Sequence, residues 1–150
     1  MTIDTSGKWW VGTVPTDIEE YLHALIAEEG GYAIHRFKLS TCECGGVVFK
    51  LRLDRDNEAA ARVCSACSAT GYIGDSEKYL APTNADKFKC VECRSDDCNV
   101  GVGFSLYAPG ESDDVQWLSV GVRCATCGVL GCIIDWKVGG GNGSEFLEKA

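Results

Sequence analysis

Apolar residues first recur at helical spacing, at Ile18, Tyr21, Leu22, Leu25 and Ile26, which form one stripe after Pro15. Thr16 followed by Glu19 reads as a capping box, and Asp17 suits the positive end of the helix dipole. Gly30 and Gly31 end the helix. The period then shortens to two. Residues 32–39 alternate as a strand with Ala33, His35, Phe37 and Leu39 on one side, and residues 47–53 and 59–63 read as a hairpin. Tyr72 and Ile73 begin a third short strand, and Asp75 and Ser76 read as caps for a helical turn over residues 77–80. The second half predicts strands over 100–107, 115–122 and 130–138, with a polar loop from Pro109 to Asp114. Pro82-Thr83-Asn84 reads as a linker, residues 139–143 as a flexible glycine run, and residues 144–147 as a short helical end. Near the start, Trp9 and Trp10 read as an arm packing on the core. Neighbouring strand residues face opposite ways, so one Trp needs a second surface. The pattern is that of a small α+β chain, mainly antiparallel β, with an N-terminal amphipathic helix.

An internal repeat overlies this pattern. Cys64, Cys67, Gly71, Ile73 and Asp75 recur in one register as Cys124, Cys127, Gly131, Ile133 and Asp135. Each copy has a cysteine pair upstream, Cys42 and Cys44 in one case and Cys90 and Cys93 in the other. Each gap between pairs is long enough for a two-stranded hairpin. A knuckle with one or two residues between its cysteines delivers two soft ligands from one turn, and a second knuckle completes a tetrahedron.

Over roughly residues 40–75 and 88–138 these paired knuckles resemble the zinc-ribbon (rubredoxin-like) family in two tandem copies. The resemblance implies two zinc-ribbon β-sheets and two structural Zn(II) ions per chain. One ion would be held by Cys42, Cys44, Cys64 and Cys67, the other by Cys90, Cys93, Cys124 and Cys127. Rubredoxin-type iron uses the same four sulfurs and is the alternative metal. The units would be 1–39 (arm, helix and strand), 40–81 (first ribbon) and 86–150 (second ribbon). Two departures stand out: a single residue separates Cys42 from Cys44, and Arg94 follows Cys93 where ribbons often carry glycine.

Two of the ten cysteines remain. Cys98 could replace Cys93 as a ligand, and Cys132 takes the place of Tyr72 in the repeat, as a small core residue would. Either could instead carry cysteine-dependent redox chemistry. His35 is available as a ligand, but each four-cysteine set is complete without it, and His23 falls off the helix stripe. The chain shows no phosphate-binding glycine loop, no Ser/His nucleophile motif and no zinc-hydrolase pattern. It shows no apolar run of membrane-spanning length and no leader-like start, so a reducing cytoplasmic location is expected, which favours metal over disulfides.

Charge then separates the function classes. A formal net charge of −8 with 14 Lys and Arg is a poor match to a nucleic-acid polyanion. A local strip of Lys50, Arg52, Arg55 and Arg62 is the one feature supporting that alternative. The leading expectation is an acidic, non-catalytic protein-interaction module, adaptor- or inhibitor-like, with a basic partner.

Overall fold

The computed structural model describes residues 3–80, 85–138 and 149–150. The expected linker at 82–84, the glycine run and the helical end at 144–147 lie outside the described residues. One helix, α1 (Asp17–Glu29), precedes eight strands: β1 (Arg36–Leu39), β2 (Phe49–Asp54), β3 (Ala59–Cys64), β4 (Thr70–Tyr72), β5 (Asp86–Lys87), β6 (Cys98–Leu106), β7 (Val115–Cys124) and β8 (Leu130–Lys137). All described pairings are antiparallel, and together they make one sheet ordered β4-β3-β2-β6-β7-β8, with β1 on β6 and β5 on β2. No helix among the described residues is long and apolar enough to cross a membrane.

Two separate sheets were expected, and a single hydrogen-bonded sheet is observed. The join is narrow: β2 meets β6 only at Phe49 opposite Cys98. Beyond that bridge β6 pairs with β1 through residues 101–104, while β2 pairs with β5 at Arg52 and Leu53. The β2–β3 and β6–β7 hairpins therefore diverge from the bridge and turn their apolar faces to one core. Phe49, Leu51 and Leu53 meet Val100, Val102, Phe104, Leu118, Val120 and Trp136 there, all nearly water-free. Each such side chain contributes roughly 1.5–3 kcal/mol by leaving water. Ala150 also enters this core, and its carbonyl accepts from Arg62 Nε at 3.2 Å.

The register of the two halves matches residue for residue. Arg62 faces Gly71 as Val122 faces Gly131, and Phe49 faces Cys64 as Cys98 faces Cys124. The second half adds a bulge between Val120 and Gly121.

The helix lies across the other face of β6 and β7, where Ile18, Tyr21 and Leu22 are buried. Its berth is a row of glycines. A Cβ on Gly121 would stand 2.6 Å from Ile18 Cγ2, and one on Gly101 2.9 Å from the same atom. The expected capping box is not formed: Thr16 makes no side-chain cap bond. Asp17 takes over, its buried carboxylate accepting from the backbone N–H groups of Thr13 at 2.8 Å and Val14 at 3.2 Å. Those bonds tie the helix start to the arm. Gly30, at φ 85°, ends the helix as expected, donating to Ile26 at 2.8 Å.

The strand expected over 32–39 begins only at Arg36, because Ile34 rather than Ala33 or His35 turns inward and breaks the alternation. The arm bridges Val11 to Val129, with Leu130 N–H donating to the Trp10 carbonyl. Trp10 packs edge-on against Tyr21 at 5.7 Å, whereas Trp9 stays 38% exposed beneath the Lys8 ammonium.

Candidate metal centres

Two four-cysteine clusters form at the ends of the hairpins. Cys42, Cys44, Cys64 and Cys67 lie together in one, and Cys90, Cys93, Cys124 and Cys127 in the other, with all sulfurs of a cluster within 4.8 Å. The shortest contacts are 3.5 Å for Cys42–Cys67, 3.6 Å for Cys44–Cys64, and 3.5 Å for both Cys90–Cys127 and Cys93–Cys124. A disulfide needs about 2.0 Å, so the ten cysteines are free thiols. A tetrahedron with Zn–S bonds of about 2.3 Å has sulfur–sulfur edges of about 3.8 Å. The donor type, number and spacing fit a metal ion in each cluster.

The local backbone makes these clusters. In each knuckle the residue after the second cysteine turns left-handed: Gly45 (φ 89°), Ser68 (φ 65°), Arg94 (φ 67°) and Gly128 (φ 82°). The turn closes with bonds such as Gly45 N–H to the Cys42 carbonyl at 2.8 Å and Arg94 N–H to the Cys90 carbonyl at 3.0 Å. It also aims N–H groups at sulfur, as where Glu92 N–H meets Cys90 Sγ at 3.4 Å. Gly46 abuts the first cluster so closely that a Cβ would lie 3.0 Å from Cys64 Sγ. In each cluster two cysteines are buried, while Cys44, Cys67 and Cys93 are exposed and Cys127 is half-buried.

Without a cation, four thiols this close cannot all ionise. Backbone N–H groups of Cys67 and Ala66, helped by neighbouring thiols, bring Cys64 down to about 6. Burial opposes ionisation at Cys124, but the N–H groups of Cys127 and Thr126 outweigh it and bring that thiol to about 7. At Cys67 the Ala69 N–H favours the thiolate, yet Cys42, Cys44 and Cys64 together push it up to about 12. Burial and the thiols of Cys90, Cys93 and Cys124 push Cys127 up to about 12. This is a donor set that a dication would complete.

The remaining predicted residues fall elsewhere. Cys98 lies outside the clusters, fully buried on β6, with its thiol donating to the Phe49 carbonyl at 3.5 Å; Cys93, not Cys98, stands in the second cluster. Cys132 is half-buried on β8, where burial, Asp135 and Glu29 push it up to about 12. A reactive cysteine needs its thiolate favoured, and burial pushes Cys98 up as well. His35 is no ligand: its Nδ1 accepts from Leu106 N–H at 2.9 Å. Asp75 makes no cap bond but accepts from Trp136 Nε1 at 3.2 Å, as Asp135 accepts from Trp117 Nε1 at 3.2 Å. Ser76 instead bonds inward, accepting from Ala60 N–H at 2.8 Å, because β3 needs that acceptor.

Three residues of the basic strip are taken up in contacts within the chain. Lys50 pairs with Asp97 at 2.6 Å and Asp96 at 3.4 Å, and Arg55 donates to the Ile133 carbonyl at 2.9 Å. Arg62 lies 4.8 Å over the Phe49 ring. Asp97 was not foreseen and ties the two clusters together. Its carboxylate accepts from Ser65 in one closing knuckle at 2.8 Å, and its carbonyl from Ala125 N–H in the other at 3.0 Å. No protein-family model, curated protein or solved structure matches the chain.

Proposed function

We propose that the chain is a non-enzymatic protein-interaction module built from two tandem zinc ribbons, each holding one structural Zn(II). Cys42, Cys44, Cys64 and Cys67 would be the ligands of one ion, and Cys90, Cys93, Cys124 and Cys127 those of the other. The observation carrying the proposal is the convergence of four unpaired sulfurs, at 3.5–3.6 Å, in each cluster. The matched hairpin registers and the four left-handed knuckle residues support a tandem repeat. Four thiolates fill all four positions of a tetrahedral ion, which leaves no vertex for a reacting water. The metals would supply folding free energy to a chain with modest apolar area. A reducing compartment such as the cytosol suits thiol ligands, and the charge of −8 suits a basic partner.

Native mass spectrometry of purified protein tests the metal reading. Two zinc ions per chain are expected, with loss of near-UV dichroism and of compactness when a strong chelator removes them. A coloured, iron-bearing protein would move the reading to electron transfer. Unchanged spectra after metal removal would show that the ions do not hold the fold.

A further inference from the structure

A groove runs along the outer side of α1 toward the second cysteine cluster. It begins as a cleft of about 310 Å³ between the end of the helix and β7–β8, with Leu25 and Ile26 on one wall and Trp117 and Cys132 on the other. Tyr32 stacks on Trp117 at 5.2 Å and closes that end. A second hollow shares Leu25 and Glu29 with the first and continues over Tyr21 and Leu130 to Trp9. A third shares Trp9, Tyr21 and Leu130 and ends at Phe88 and Val91. The hollows adjoin one another, the first and third also meeting at Cys132, and a surface of connected shallow hollows suits an extended chain better than a compact small molecule.

The rim is acidic where a helix would prefer it otherwise. Glu28 and Glu29 occupy the last turn of α1, at the negative end of its dipole, and that turn holds no basic residue. Among the described residues neither forms an ion pair, and Asp135 adds a third carboxylate at the cleft. Lys8, lying over Trp9, is the basic residue lining the groove. Trp9 and Tyr32 stay 38% and 44% exposed, with Lys8 already over the Trp9 ring and Trp117 stacked on Tyr32, and offer a partner apolar contact area. A second copy of the chain would bring acidic rims together, each on a molecule of charge −8.

We propose that this groove is the docking site for an extended peptide segment of a partner protein that alternates apolar with Lys or Arg side chains. The proposal rests on the interaction-module reading and supplies its surface. Apolar side chains fill the cleft and the Trp9–Leu130 hollow, and basic ones reach Glu28, Glu29 and Asp135.

Fluorescence anisotropy with three labelled peptides on the full, metal-loaded chain tests it. The alternating Leu-Lys peptide is expected to bind about tenfold or more tighter than Ser-Lys, with Leu-Glu failing to bind. Glu29→Gln with Asp135→Asn should weaken the Leu-Lys peptide about tenfold, and Trp9→Ala should weaken it separately. Glu43→Gln with Glu77→Gln removes the same charge at exposed positions outside the groove and should change affinity less than about twofold. Equal losses in both double variants, equal binding of Leu-Lys and Ser-Lys, or no binding would each overturn the groove. A concentration-dependent dimer dissolved by the groove variants would assign the face to a second copy and overturn a peptide occupant. Metal content is measured on the same samples. A chain that loads two ions yet ignores every peptide overturns the groove alone, and one that loads none overturns the metal reading whatever the peptides do.

Discussion

Arg94 and Ser68 hold the left-handed turn that Gly45 and Gly128 hold without strain. A side-chain-bearing residue there costs roughly 1–2 kcal/mol, part of which glycine returns through its freer unfolded state. Arg94→Gly and Ser68→Gly are each expected to raise stability by about 0.5–1 kcal/mol, read from thermal unfolding of metal-loaded protein. Gly128→Ala is expected to do the reverse, because its Cβ would lie 2.5 Å from the Gly12 carbonyl. The cysteine spacing made the knuckles legible in the sequence, but the turn requirement was legible only at the two glycines. Structural Zn(II) in zinc-finger peptides is worth about 10–16 kcal/mol, so an ion held as proposed would let the chain carry a strained arginine without losing the turn. The helix start misled for a related reason. Thr16 and Glu19 have capping-box spacing, yet Asp17 wins by bonding three donors of the preceding turn at once.

At the scale of elements, the berth of α1 was the hidden part. Its stripe announced itself at helical spacing, whereas Gly101, Gly103 and Gly121 carry no side chain from which periodicity could read a face. Their role appears only once Ile18, Phe37, Ile34 and Leu22 are seen within van der Waals range of where a Cβ would be. Gly121→Ala is therefore expected to destabilise by about 1–3 kcal/mol as the helix is pushed outward, measurable by urea unfolding. An alanine at Gly131 on β8 meets nothing closer than 3.8 Å and makes a useful control.

For the whole molecule, the thiol arrangement sets the proton balance of metal uptake. Cys67 and Cys127, pushed up to about 12, and Cys44 and Cys93, also raised, keep their protons at neutral pH in the metal-free chain. Cys64 at about 6 and Cys124 at about 7 are already largely or partly ionised there. Metal binding at pH 7 is expected to expel protons from each cluster, seen with an indicator dye in weak buffer. Affinity is then lost as pH falls, because protons reclaim the thiolates. The sharing of one core between the halves was not legible either, since hydropathy marks which faces are apolar and not what they face. The bridge that joins them sets Phe49, opposite the first cysteine of its closing knuckle, against Cys98, opposite the first cysteine of the other. A residue that pairs with its own counterpart lies on a two-fold axis, as in a symmetric dimer of identical chains. The strand pairings around this bridge are laid out as they would be about such an axis, with two unlike side chains beside it. Exchanging them tests whether the two positions are equivalent: Phe49→Cys alone should cost about 3 kcal/mol and Cys98→Phe about 1–3 kcal/mol, while the double exchange in urea should cost well under their sum.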